Sequence, residues 1–425
     1  MSGKLSRSNF RWIVCGLLFL ITTVNYMDRA ALGLVEPILK HVLGGDRDAA
    51  LYNRHYSDIV NCFILAYGVG LFFAGRIIDR VGARLGLALS IAVWALASIS
   101  HAFMRSVAGF GMARFALGLG EAGNFPAALK ATADWFPAED RALATGIFNS
   151  GTSAASLIAP LLVPWVALRY GWRAAFFTTG GLSLLWLCCW MLFPYRRLQQ
   201  RYGVQSTATV ATERSGRPSF LSLLLNRRTW SFAGSKALTD PVWWLYLFWL
   251  PKFFHERFGV EISKLGTPLI LVYVGATAGS IGGGWLAGFA MRRGRPLRSA
   301  RRFAMMACAG CTTAIVLVPF VHQLGHAVAL LCLTTAAHQG WSSNLLSTPS
   351  DMFESDSVAT VAGIGGAIGS VGSTLFTLAV GFLWTSHALL IFLGAGCAYL
   401  LAMSIFQSSF FTAAAPPVGL EVDAD

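Results

Sequence analysis

Apolar positions along this chain gather into runs of about 20 residues parted by short polar stretches, from Trp12 almost to the C-terminus. A helix rising ~1.5 Å per residue needs about 20 apolar residues to cross a ~30 Å hydrocarbon core, so each run predicts a membrane-spanning helix. Twelve are read, over about 12–35, 57–78, 84–104, 107–131, 142–168, 172–194, 229–254, 264–290, 299–321, 325–349, 358–384 and 387–410. The longest polar segment, 195–228, is rich in Ser, Thr and Arg and falls between the sixth and seventh spans. Six spans, a linker and six more predict two repeated halves. The expected division is an N-terminal half over 1–194, a cytoplasmic linker over 195–228, a C-terminal half over 229–411 and a cytoplasmic tail over 412–425. The fold class is therefore all-α: a polytopic membrane protein with twelve transmembrane helices in two six-helix halves. The first run follows Lys4, Arg7 and Arg11 as a signal peptide would, but it is too long, lacks a small-residue cleavage site and has many similar runs behind it. It is read as a retained helix.

Composition agrees, with 55% hydrophobic and only 12% charged residues, which excludes a soluble domain. The net charge of +13 would invite a nucleic-acid partner if it were not placed so unevenly. Arg76, Arg80 and Arg84 follow span two, seven arginines from Arg196 to Arg228 fill the linker, and six from Arg292 to Arg302 follow span eight. With the N-terminal basic residues they fall on one side of a twelve-span chain, which is thereby cytoplasmic, and both termini lie there. Lys40, Arg47, Arg54, Lys252, Arg257 and Lys264 on the other side make the bias strong without being absolute. The partner this charge implies is anionic lipid, not nucleic acid. All eight cysteines lie in apolar runs, and the Cys308-x-x-Cys311 pair has no second pair or histidine at zinc spacing, so small apolar fillers are the reading and no metal is expected.

Some of these segments carry a resemblance. "GRIIDRVGARLG" (Gly75 to Gly86), after span two, resembles the signature loop of the major facilitator superfamily, with a weaker echo in "MRRGRPLRSARR" after span eight. Gly82 permits the tight turn, Asp79 can meet an arginine or a helix N-terminus, and Arg80 and Arg84 can bridge the halves as gating residues. "NYMDR", "ARFALGLGEAGNFPAALKATADWFP" and "GIFNSGTSAASLIAPLLVPW" are similar to the anion:cation symporter family, in particular its hexuronate and galactonate-type transporters. The resemblance implies the major facilitator fold, a bacterial inner membrane, a monomer and a small organic anion as cargo. It also implies no cofactor and a proton as coupling ion, with sodium left open.

Six charges lie well inside spans, away from the span ends: Asp28, Arg29, Arg114, Glu121, Lys236 and Asp240. A charge at the bilayer centre costs several kcal/mol, so each needs a user or a shield. Arg114 and Glu121 are about two turns apart and share a helix face, while Asp28 and Arg29 point about 100° apart. With spans one and four adjacent, as the resemblance implies, Asp28, Arg114 and Glu121 can form one buried group of two acids and a base. A static salt-bridge triad is the competing structural reading. In galactonate-type members the acids matching Asp28 and Glu121 take the coupled protons, the arginine matching Arg114 bridges them, and the one matching Arg29 holds the substrate carboxylate. Lys236 stands where such members have a substrate-contacting glutamine, and Asp240 one turn on can neutralise it.

The remaining candidates are polar groups at membrane depth, each of which needs a helix partner or a ligand. Tyr26, Tyr67, Asn149 and Thr152 are expected at the substrate, with Gln339, Trp341 and Asn344 of "HQGWSSN" completing the set. His338 and the tryptophans of "DPVWWLYLFWLP" are read as packing, Ser370 as a further cavity hydroxyl, and Pro241 as a kink in span seven. The function expected is secondary active import of a sugar acid, hexuronate or a related aldonate or aldarate, by proton symport with alternating access. A drug exporter would want an acid without three cavity arginines and lysines. An organophosphate:phosphate antiporter would use Arg29 and Lys236 but has no need of Asp28 and Glu121. An enzyme finds no nucleophile–base pair, phosphate loop or metal cluster.

Overall fold

The computed structural model describes residues 7–42, 49–202, 218–260 and 266–407. The 203–217 part of the expected linker, the tail from 408, and Lys4, Arg47, Arg214, Arg217 and Lys264 lie outside the described residues, as do the side chains of Lys40, Arg54 and Lys252. Spans one to three are Arg7–Val42, Ala49–Val81 and Ala83–Ser100. Gly82 joins the last two at φ 87°, a backbone conformation that favours glycine. Span four is two helices, Val107–Glu121 and Asn124–Trp135, and is followed by Ala138–Tyr170 and Trp172–Leu192. In the second half the spans are Arg227–Phe248, Gly266–Arg292, Leu297–Thr313, Leu324–Met352 and a last helix, Ser355–Phe406, whose backbone breaks at His387 into spans eleven and twelve.

Nine helices among the described residues are long and apolar enough to cross a membrane. Spans four, seven and ten fall short, each for a visible reason. Span four is interrupted after Glu121, span seven carries Arg227, Arg228, Lys236 and Asp240, and span ten is diluted by Thr, His, Gln, Ser and Asn. These three also supply walls of the central cavity described below. Span seven continues as one helix through Pro241 and ends at Trp249, before the helix Leu250–Phe258 whose first turn holds Pro251. Proline is tolerated at a helix start, where its missing N–H is not needed.

Apolar side chains face two ways. One buried core joins residues of the second half, including Tyr246, Met305, Trp341 and Tyr399. A second, around Phe110, Trp172 and Phe176, joins residues of the first, and a third, around Trp94, Trp135 and Trp190, joins the first half to Leu346, Val358, Ala359 and Ala362 of the second. Leu65, Leu96, Leu161 and Leu168, by contrast, are 65%, 62%, 76% and 81% exposed. That outward apolar surface suits lipid and would be untenable in water.

The halves meet along two helix crossings built on glycine. A Cβ on Gly75 of span two would lie 2.1 Å from the Ala359 carbonyl of span eleven, and one on Gly363 would lie 2.3 Å from that of Leu71. Spans eight and five repeat the device: Gly284 would meet the Ala142 carbonyl at 2.2 Å and Gly146 the Ser280 carbonyl at 2.1 Å. The matching segments are "DWFPAEDRALATG" (Asp134 to Gly146) and "DMFESDSVATVAG" (Asp351 to Gly363), which share Asp, Phe, Ala and Gly at the same spacing. They are a clearer trace of the internal repeat than the basic loops.

Candidate functional site

A cavity of about 120 Å³ lies between the halves. One water needs roughly 10–15 Å³, so this is space for a small solute. Of the expected substrate residues, Tyr26, Arg29, Tyr67, Asn149 and Thr152 line it from the first half and Lys236 and Gln339 from the second. Trp341 and Asn344 do not. Trp341 is fully buried and donates Nε1–H to Thr239 Oγ1 at 3.2 Å, and Asn344 Nδ2 donates to the Gly283 and Gly340 carbonyls at 2.8 and 2.9 Å. Helical geometry explains the correction. Gln339, Ser342 and Leu346 share one stripe and line the cavity, whereas Trp341 lies about 200° around the helix from Gln339.

On the first-half wall Arg29 is the central group. Its Nε donates to Glu121 Oε2 at 3.0 Å, and Nη2 lies 3.0 Å from the same oxygen. The guanidinium lies 4.6 Å from the Tyr26 ring centroid, 4.5 Å from that of Tyr67 and 5.2 Å from that of Phe63, an aromatic collar that favours a cation and restricts its rotamers. Glu121 lies behind it, its side chain wholly buried.

Asp28, Arg114 and Glu121 are all buried and within electrostatic reach of one another, as expected, but no hydrogen bond among the described residues joins them. Asp28 accepts from Ser98 Oγ of span three at 2.6 Å and Ser183 Oγ of span six at 2.9 Å, with Thr179 3.2 Å from Ser98. It points away from the cavity, as the ~100° turn from Arg29 requires. Hydroxyls both donate and accept, so this nest suits a carboxylate or a carboxylic acid. Arg114 does not bridge the two acids; its Nη1 donates to the Arg29 carbonyl at 3.4 Å. Its Nε and Nη2, with Glu121 Oε1, are buried polar atoms lacking hydrogen-bond partners among the described residues. Unsatisfied charged groups of this kind leave the first half an alternative pairing within reach of a side-chain rearrangement.

On the facing wall Lys236 Nζ lies 2.7 Å from Asp240 Oδ2. Asn149 and Gln339 meet between the halves at 2.8 Å, Nδ2 to Oε1, and Asn149 also donates to Ser280 Oγ at 3.3 Å. His338, Trp243 and Trp244, for which packing is the first expectation from the sequence, line the cavity as well. His338 stacks on Trp243 at 5.6 Å with the rings 5° apart, and its Nδ1 pairs with the Tyr399 hydroxyl. Ser370 and Ser373 add hydroxyls from span eleven.

The basic end of the molecule ties the halves together. Asp79 accepts from Thr360 N and Oγ1 at 2.7 and 2.6 Å and from Ala359 N at 3.2 Å, in the opening turns of span eleven. Lys130 Nζ lies 3.2 Å from Asp79 and donates to the Ser355 carbonyl, while Asp134 accepts from Ser355 Oγ at 2.6 Å. Across the repeat, Arg141 donates to the Ser350 carbonyl at 2.7 Å, and Arg301 holds Asp351 at 2.8 Å and reaches the Ala138 carbonyl at 3.4 Å. Of the expected gating residues, then, Asp79 meets a helix N-terminal region, Arg80 is exposed, and Arg84 donates to the Met191 and Phe193 carbonyls of its own half at 2.7 and 3.3 Å. Lys130, Arg141, Arg292 and Arg301 all cross between the halves, Arg292 through Asp140 at 3.3 Å. Arg292 and Arg301 belong to the basic run after span eight, whereas Lys130 and Arg141 are not among the expected gating residues.

Known proteins place the chain further. The hexuronate transporter of Escherichia coli (strain K12) is 30% identical over 385 residues, covering 88% of this chain and 87% of that one. The galacturonate transporter of Dickeya chrysanthemi is 31% identical over 285 residues, covering 65% and 81%. Among solved structures, the proton:xylose symporter XylE superposes with a TM-score of 0.75 at 16% identity, covering 95% of this chain and 96% of that chain. That likeness speaks to the twelve-helix fold alone. The Major Facilitator Superfamily profile matches residues 18–377, and the chain belongs to that superfamily of multi-pass membrane transporters.

Proposed function

We propose that the chain imports a sugar mono-acid, a hexuronate in the first place, by proton symport with alternating access. The observation that carries this reading is the Arg29–Glu121 pair: a cavity arginine whose partner is a fully buried carboxylate. A guanidinium can fork two hydrogen bonds to a carboxylate, and only one carboxylate can hold its favoured face at a time. Protonation of Glu121 frees Arg29 for the cargo; loss of that proton after release lets the pair reform. Asp28 takes a second proton in its hydroxyl nest and biases span one against spans three and six. The names of the relatives support a sugar acid as cargo.

The basic end is cytoplasmic by the positive-inside rule, so the conformation described has its cytoplasmic side tied shut. Alternating access proceeds by rocking one half on the other about the glycine crossings. The protein works as a monomer in a bacterial inner membrane. An organophosphate exchanger fits less well, because Arg29 and Lys236 each already carry an acid, leaving the cavity without the surplus positive charge a phosphate dianion would need. Uptake of labelled galacturonate, glucuronate, galactonate and glucarate into proteoliposomes with an imposed pH gradient tests the reading. Accumulation of hexuronate above its equilibrium level only when the outside is acidic is the expected result; accumulation driven by a sodium gradient alone would overturn the proton assignment.

A further inference from the structure

We propose that Asp240 is a selectivity residue that turns the cavity against a second carboxylate, so that the protein accepts sugar mono-acids and refuses the corresponding di-acids. This deepens the reading above and rests on it, since it takes the first carboxylate to dock at Arg29. Read from sequence, Lys236 is a second cation across the cavity that could meet a second carboxylate or bond ring hydroxyls, the latter favoured because Asp240 one turn on can neutralise it. The geometry carries this further. Asp240 lies 2.7 Å from Lys236 Nζ, so the cation is already compensated, and of the two side chains it is the acid that is the more presented, 27% exposed against 10% for the lysine. A second carboxylate would have to displace Asp240 from Lys236 and then sit beside it, adding a like charge in a poorly solvated wall.

Span eleven closes one side of Asp240. It passes at Gly369, where a Cβ would lie 2.5 Å from Asp240 Oδ2 and 3.3 Å from Lys236 Cβ. The missing side chain of Gly369 thus leaves the acid room to lie against its lysine. What the pair does offer suits the other end of a mono-acid: carboxylate lone pairs accept from sugar hydroxyls and the remaining ammonium N–H groups donate to them. Ser370 and Ser373 extend the same hydroxyl-binding wall.

The test is counterflow of labelled galacturonate in proteoliposomes of the full chain, with unlabelled galactarate and glucarate as competitors. The wild type should exchange galacturonate with little inhibition by either di-acid. Asp240→Asn should weaken galacturonate several-fold and at the same time strengthen both di-acids as competitors by at least about tenfold, one like-charge contact being removed. Opposite signs for the two cargoes are an effect that loss of folding cannot imitate. Asp240→Ser, smaller and free of the Gly369 contact, should shift the ratio the same way and serves if the asparagine variant is unstable. Equal wild-type inhibition by mono- and di-acids would overturn the inference while leaving sugar-acid transport standing. No exchange of any sugar acid would overturn that reading first and this one with it. Variants that lose gradient-driven accumulation yet gain no di-acid competition would make Asp240 a coupling acid instead, and the selectivity role would fall.

Discussion

Arg29 and Glu121 meet through two nitrogens and one oxygen, and that economy sets what each substitution should do. Glu121→Gln keeps the shape of the group but cannot release a proton. The variant should lose pH-driven accumulation while retaining counterflow exchange; unchanged accumulation in a pH-jump uptake assay would remove Glu121 from the coupling. Arg29→Lys keeps the charge but loses the fork and much of the stacking on Tyr26 and Tyr67. One charge-assisted hydrogen bond is worth about 1.5–3 kcal/mol, so galacturonate binding measured by calorimetry should weaken by roughly ten- to a hundredfold. Binding near the original affinity would place the carboxylate elsewhere. Lys236→Gln should cost less, a moderate fall in hexuronate uptake, because the lysine is already neutralised by Asp240.

Among the elements, the two glycine crossings decide how closely the halves approach at the basic end. Side-chain volume there has nowhere to go, since the Cβ of a substituted Gly75 or Gly284 would run into the backbone of the opposite half. Gly284→Val should therefore hold span eight away from span five. Ser347→Cys, at a position 2% exposed near that end of span ten, should become reactive to a membrane-impermeant maleimide from the basic side in a cysteine-depleted background carrying Gly284→Val. Transport should fall about tenfold or more, as overpacking at a close helix contact costs ~1–3 kcal/mol. Labelling that stays at the level of the parent would show that this crossing does not govern closure. Substituting Gly82 should act differently, through strain in a turn at φ 87°, and should depress yield without opening the molecule.

For the whole molecule, the count of titrating acids fixes the charge moved per cycle. A mono-anion entering with protons on both Glu121 and Asp28 carries one net positive charge inward, so transport should be electrogenic. A potassium-diffusion potential, inside negative, should accelerate galacturonate uptake, and Asp28→Asn should make uptake insensitive to that potential. Uptake by the wild type that ignores the potential would mean one proton per mono-anion, with Asp28 a fixed structural group. The closure at the basic end is also a property of the assembled molecule: Asp79, Lys130 and Ser355 come from spans two, four and eleven.

The apolar run length, its twelvefold recurrence and the gathering of arginines at alternate loops could be read directly, because each is a local property: hydrocarbon thickness sets helix length and the retention of basic residues sets orientation. The charges that matter could be found the same way, since any ionisable residue inside a span demands an explanation. Pairing within one helix could be read too, as Asp240 on Lys236 one turn apart shows. Pairing between helices could not: Arg29 holds Glu121 directly and Asp28 turns to hydroxyls of spans three and six, because partner choice depends on which helix faces meet across gaps of 3 Å or so. The same limit separated Gln339 from Trp341 and Asn344, two and five residues further along one helix. Periodicity alone says which residues share a stripe, and only the neighbouring helices say which stripe faces the cavity.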